Sequence, residues 1–190
     1  NGFSLRDLLI FNENIYISYI GENNNCKNLN ISVANINLDY LEFNDFFKSE
    51  VCSEWLQAGR MISYTHDNKK GILFTTSALT RDAPDNAPQD DESVFGKILF
   101  IDLDTKNHIV FSKGHRNILG LSSINNVILS TENGPRGGDE INRIYKDKNY
   151  GWPIASDGNK YVKDDAPPRG YKDHQDMNFE PPIFSFIPSI

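Results

Sequence analysis

"LGLSSINNVILSTENG", residues 119–134, is a short apolar run, an Asn-Asn pair, and a second apolar run that ends in small and polar residues. Asn tolerates left-handed backbone, so an Asn pair between two alternating runs is a hairpin signal. "LLIFNENIYISYI" at residues 8–20 and "GRMISYTHDNKKGILFTTSA" at residues 59–78 share the plan. The three start about 50 to 60 residues apart, near the repeat length of a propeller blade. A second hairpin follows two of them, "NISVANINLDYLEF" at 30–43 and "GKILFIDLDTKNHIVFS" at 96–112. An inner plus an outer hairpin makes a four-stranded blade. The fold class is therefore all-β, read as a β-propeller; a generic β-sandwich is the alternative that the pattern leaves open. No segment sustains helical periodicity over three turns. Residues 43–55 are the one place where a short helix is expected.

Composition narrows the function classes. The 190 residues carry a formal net charge of −7, with 24% charged and 38% hydrophobic residues, the balance of a folded chain. An acidic surface argues against nucleic acid and anionic membrane as main partners. No apolar run approaches the roughly 18 residues of a transmembrane helix. No basic-then-apolar leader opens the chain, and a start at Asn1 rather than Met is read as a cleaved or truncated end. About one residue in nine is Asn, which fits a turn-rich fold. Cys26 and Cys52 are too few for a disulfide scaffold and lack zinc-site spacing; one disulfide or two thiols both remain open. Residues 80–93 and 158–177 are polar, Pro-containing surface loops.

Two segments can carry chemistry. "STENGPRGGDEINRIYKDKNYGWP", residues 130–153, sets Gly134, Pro135, Gly137 and Gly138 beside Glu132, Asp139 and Glu140. Gly and Pro force non-ladder backbone, whose carbonyls with nearby carboxylates suit a hard cation such as calcium. A capped turn with solvated acids has the same composition. "KGHRNILGL", residues 113–121, holds His115, Arg116 and Asn117 in a row; in extended backbone Arg116 faces away from its two neighbours. An Arg facing a cavity is a planar fork of donors for carboxylate or carbonyl oxygens.

Taken together, "GHRN--GL", "T-E-x-G-P-x-G-G-D-E-I-N", "N-Y-G-W-P" and the final "PPIFSFIPSI" resemble the quinoprotein aldose sugar dehydrogenases of the glucose/sorbosone dehydrogenase family. The likeness runs from Gly59 onward and more loosely through the first hairpins. It implies a six-bladed β-propeller with pyrroloquinoline quinone (PQQ) on its axis beside calcium. Residues 1–190 would then be a single incomplete domain of roughly three to four blades. The implied activity is oxidation of an aldose sugar at its anomeric carbon to a lactone, with electrons passing to an external acceptor. A periplasmic or secreted location, and a homo-oligomer to cover the open ends of the arc, follow from the same resemblance. By motif, Arg116, Asn117 and Tyr161 match cofactor contacts. Gly134 and Pro135 match carbonyls that ligate calcium at the cofactor; Glu140 and the Tyr150 backbone match a further calcium site.

Three positions depart from the pattern. The family's catalytic His falls on Leu56, which cannot accept a proton; a general base is typically worth about 10²–10⁴ in rate. A Gln is replaced by Leu119, and the residue before "GP" is Asn133. His66 is expected in a solvated turn, His174 in a loop that could fold over the site, and Gln57 is adjacent but is no base. These departures support an alternative, a catalytically silent propeller kept as a binding module.

Overall fold

The hairpins form because their turns hold the backbone that tight strand pairing needs. Asn12–Glu13, Asp67–Asn68 and Asn125–Asn126 all sit at positive φ, between 48° and 64°. Two consecutive left-handed residues make a type I′ turn, whose twist matches that of paired strands. A computed structural model describes residues 3–23, 26–36, 39–49, 56–78, 86–161 and 170–186. Whether Cys26 and Cys52 pair lies outside it: the Cys26 side chain and all of Cys52 are beyond the described residues.

The described chain is three four-stranded antiparallel sheets, each taken up in sequence order. The first holds β1 (Phe3–Phe11), β2 (Asn14–Asn23), β3 (Cys26–Asn35) and β4 (Asn44–Lys48). The second holds β5 (Ala58–His66), β6 (Lys69–Thr76), β7 (Lys97–Asp102) and β8 (His108–Lys113). The third holds β9 (Ile118–Ile124), β10 (Val127–Glu132), β11 (Asp139–Ile144) and β12 (Phe184–Phe186). Their first strands, β1, β5 and β9, lie next to one another in succession. This is the strand order of propeller blades stacked around an axis. No helix among the described residues is long and apolar enough to cross a membrane.

The core lies between sheets. Tyr16, Leu29, Ile31 and Phe47 of the first sheet pack against Met61, Ile72, Phe74, Leu99 and Ile101 of the second. The other face of the second sheet, Leu73, Ile98, Phe100 and Phe111, packs on Ile118, Ile128 and Ile144 of the third. Both faces of β6 and β7 are therefore covered, which is why "ILF" and "ILFI" are unbroken apolar runs there. Polar bonds tie β1 to β5: the Met61 amide donates to Asp7 Oδ2 (2.8 Å) and the Arg60 guanidinium to the Arg6 carbonyl (2.5 Å).

The helix expected over 43–55 does not form where the structure describes it, since β4 occupies Asn44–Lys48. A bulge explains why the pattern misleads. Asp45 pairs with Ser32 and Phe47 with Ile31, leaving Phe46 as the extra residue. Both adjacent Phe rings are buried, Phe46 edge-on to Tyr16 (5.3 Å) and Phe47 edge-on to Phe74 (5.6 Å). Two apolar neighbours break the strand's alternation and mimic a helical face.

Candidate functional site

The start of β5, the β8–β9 connection, the β10–β11 loop and the segment after β11 meet at one end of the second and third sheets. The β8–β9 connection, residues 114–117, is not a strand, yet its side chains alternate as the sequence implies. His115 and Asn117 are buried and Arg116 is half-exposed.

Arg116 is fixed on several sides. Its guanidinium donates to the Asn133 carbonyl (3.0 Å) and to the Tyr161 hydroxyl (3.4 Å), and stacks over Trp152 (5.4 Å). Tyr161 Oη in turn donates to the Pro135 carbonyl (2.7 Å). One lone pair of that carbonyl, expected as a calcium ligand, is thus already used. Asn117 Nδ2 donates to Gln57 Oε1 (2.6 Å), bridging the second and third sheets. Two buried polar atoms of this group have no hydrogen-bond partner, Arg116 Nε and Asn117 Oδ1.

The Gly-rich loop is tight because it has to be. A Cβ on Gly134 would lie 2.1 Å from the Gly137 carbonyl, and Gly138, at φ 67°, would clash with the Gly158 amide at 2.2 Å. Reciprocal bonds between Arg136 and Asn159 (3.2 and 3.0 Å) dock the later segment on this loop and bring Tyr161 to it.

Arg116, Gly134, Glu140 and Tyr150 line one small cavity of about 10 Å³, with Glu132, Asn133 and Trp152. Glu132 and Glu140 are register partners across β10 and β11, and both are buried. Burial, then the Glu132 charge, pushes the Glu140 carboxyl up to about 8. Burial also raises the Tyr150 hydroxyl, which is bonded to the Arg143 carbonyl (2.7 Å). Ser130 Oγ and Asn142 Oδ1, buried on the same strands, have no hydrogen-bond partner. Among the described residues no three His, Cys, Asp or Glu side chains gather as a metal cluster. The expected set, one carboxylate with backbone carbonyls, is of a different kind.

The structure also places Leu56, His66 and His174. Leu56 is a core residue, packed in the cluster between the first two sheets, with its carbonyl accepting from Arg6 (3.3 Å). His66 is not in a solvated turn: it ends β5 and sits edge-on to Phe100 (5.4 Å) and Phe111 (6.3 Å). His174 is buried between carboxylates, 4.0 Å from Glu140 and 3.7 Å from Asp157.

Sequence reasoning missed a buried chain of polar groups. Glu132 Oε1 accepts the Arg116 amide, and Oε2 lies 3.1 Å from His115 Nδ1. His115 Nε2 lies 2.9 Å from Ser112 Oγ, and its ring stacks on Tyr150 at 4.6 Å. The signal was present: Ile128, Ser130 and Glu132 are spaced by two on β10, so Glu132 shares the buried face.

Comparison with known proteins gives the family and the fold. Residues 9–190 match the family model described as Glucose / Sorbosone dehydrogenase. Over 107 residues the chain is 35% identical to an aldose sugar dehydrogenase of Escherichia coli strain K12, covering 48% of this chain and 28% of that protein. The fold resembles the apo-form soluble aldose sugar dehydrogenase structure from Escherichia coli, with TM-score 0.74 and 24% identity over 92% of this chain and 54% of that one. It also resembles a PQQ-bound aldose sugar dehydrogenase from Streptomyces coelicolor, with TM-score 0.63 and 21% identity over 91% and 49% of the two chains. The chain spans about half the length of these solved structures and 28% of the curated relative.

Proposed function

The chain belongs to the glucose/sorbosone dehydrogenase family, and from that premise we propose that it is part of a six-bladed, PQQ- and calcium-dependent aldose dehydrogenase. The observation that carries this reading is the pair of buried, unpartnered atoms Arg116 Nε and Asn117 Oδ1, in a group that also holds Tyr161. A buried polar atom without a partner is costly, and a polar ligand at this end of the sheets would satisfy both.

The residues fit the two implied groups. When bound, PQQ accepts the hydride equivalent and calcium polarises its quinone carbonyl. Arg116 offers a planar fork to carboxylate or carbonyl oxygens and steadies negative charge that develops there. Asn117 orients the ligand by hydrogen bonds, and Tyr161 presents a ring to a flat one. The Gly134 and Pro135 carbonyls would face one calcium, and Glu140 with the Tyr150 carbonyl a second. Two buried carboxylates side by side, with Ser130 Oγ and Asn142 Oδ1 unpartnered nearby, have the chemistry of a hard-cation site. The substrate class is an aldose oxidised at its anomeric carbon to a lactone. The acceptor is external, and the location is periplasmic or secreted.

One observation favours a second reading. Leu56, at the family's base position, is packed into the core and leaves no proton acceptor there. The alternative is a propeller that binds the cofactor without turnover. Aldose-dependent dye reduction by the purified chain with PQQ and calcium separates the two. Sugar-dependent turnover supports the dehydrogenase; cofactor binding with no turnover supports the silent module.

A further inference from the structure

We propose that Glu132 is a positioning residue that sets the placement of Arg116 for the cofactor. This rests on the reading of Arg116 as a cofactor contact. Glu132 closes β10, and its carboxylate reaches back across the sheet to the β8–β9 connection. Oε1 accepts the backbone N–H of Arg116, so the carboxylate holds the residue by its main chain and takes up none of its guanidinium, whose Nε stays unpartnered. Oε2 accepts from His115 Nδ1 (3.1 Å). A carboxylate acceptor at Nδ1 requires the proton there, which leaves Nε2 to accept from the Ser112 hydroxyl (2.9 Å). Glu132 is thus anchored at both oxygens, and each anchor lies within the four residues before Asn117.

The neighbouring bonds are the ones that such an anchor would place. The Arg116 carbonyl accepts from the Ala78 amide (2.8 Å), and the Asn117 carbonyl from the Asn133 amide (3.1 Å). The His115 ring, locked between Ser112 and Glu132, stacks on Tyr150 and so bears on the calcium side of the pocket as well. Groups that orient first contacts in this way are typically worth about 10- to 100-fold in affinity or activity.

A double-mutant cycle on PQQ affinity tests this, with Glu132→Leu and Arg116→Ala alone and together. E132L is expected to weaken PQQ about 10- to 100-fold when Arg116 is present, and less than about twofold when it is Ala. Equal losses on both backgrounds would overturn the proposal, because Glu132 would not then act through Arg116. E132Q keeps an acceptor for the Arg116 amide and is expected to bind within about threefold of wild type. A loss in E132Q as large as that in E132L would also count against it. An arm without cofactor keeps the two claims apart. In nitrogen-15 NMR of the cofactor-free protein, E132Q should move the His115 proton from Nδ1 to Nε2. E132L should shift the Arg116 amide signal. Unchanged signals would overturn the placement of Glu132 even if PQQ binds. Absence of PQQ binding by wild type, with the signals shifted as stated, would sink the functional reading and leave the placement standing.

Discussion

Glu140 is buried beside a second carboxylate, at the place proposed for calcium. Its carboxyl titrates near 8 in the folded chain against 4.5 as the ordinary value. Between those values the folded state keeps a proton that the unfolded state gives up. Stability without a cation therefore falls as pH rises from about 4.5 to about 8. Glu140→Gln should flatten this slope in thermal melts taken across that range; an unchanged slope would place its cause elsewhere. Calcium favours the ionised carboxylate, so its stabilising effect should grow with pH in wild type and shrink in the variant. A second prediction concerns Leu56. Its side chain is in the core, so Leu56→His should cost about 1–3 kcal/mol of stability. A wild-type melting temperature would show that the position faces the pocket instead.

Loops and strands show what could be read in advance. The hairpins were legible because "NE", "DN" and "NN" are paired turn residues between alternating runs, and all three take the left-handed conformation. The Phe46 bulge was not, because nothing local marks which of two adjacent Phe residues is the extra one. Motif likeness singled out Arg116, Asn117, Gly134 and Glu140 as the proposed site, but it gave no sign of the Glu132–His115 bond, since a contact 17 residues apart depends on how β10 and the β8–β9 connection pack. The Gly-rich loop makes its own prediction. With a Cβ at position 134 placed 2.1 Å from the Gly137 carbonyl, Gly134→Ala must displace the loop. It should weaken PQQ and calcium binding at least about tenfold, measured by titration, while the melting temperature falls less than in a core variant. Full retention of binding would contradict the tight loop.

Among the described residues, the second sheet is covered on both faces, and each of the outer two on one. Leu5, Leu8 and Ile10 on β1 are exposed, as are Ile124 and Phe184 on the third sheet. Apolar sheet faces of this kind seek cover, whether from further blades or a second copy. The 190-residue chain by itself should therefore sediment above its 21.6 kDa monomer mass. Leu8→Asp should reduce that association, and a clean monomer at tens of micromolar would argue that the faces are tolerated. The sheets are also tied at the site, through the Asn117–Gln57 bond of 2.6 Å. This junction is proposed to bind PQQ through Arg116 and Asn117. An equilibrium titration of PQQ, followed by quenching of tryptophan fluorescence and run with calcium and with chelator, is the sharpest test. Saturable binding is expected at micromolar PQQ or tighter with calcium, weakened about tenfold or more in Arg116→Ala and in Asn117→Ala. Absence of binding at those concentrations, or equal binding by wild type and both variants, would contradict it.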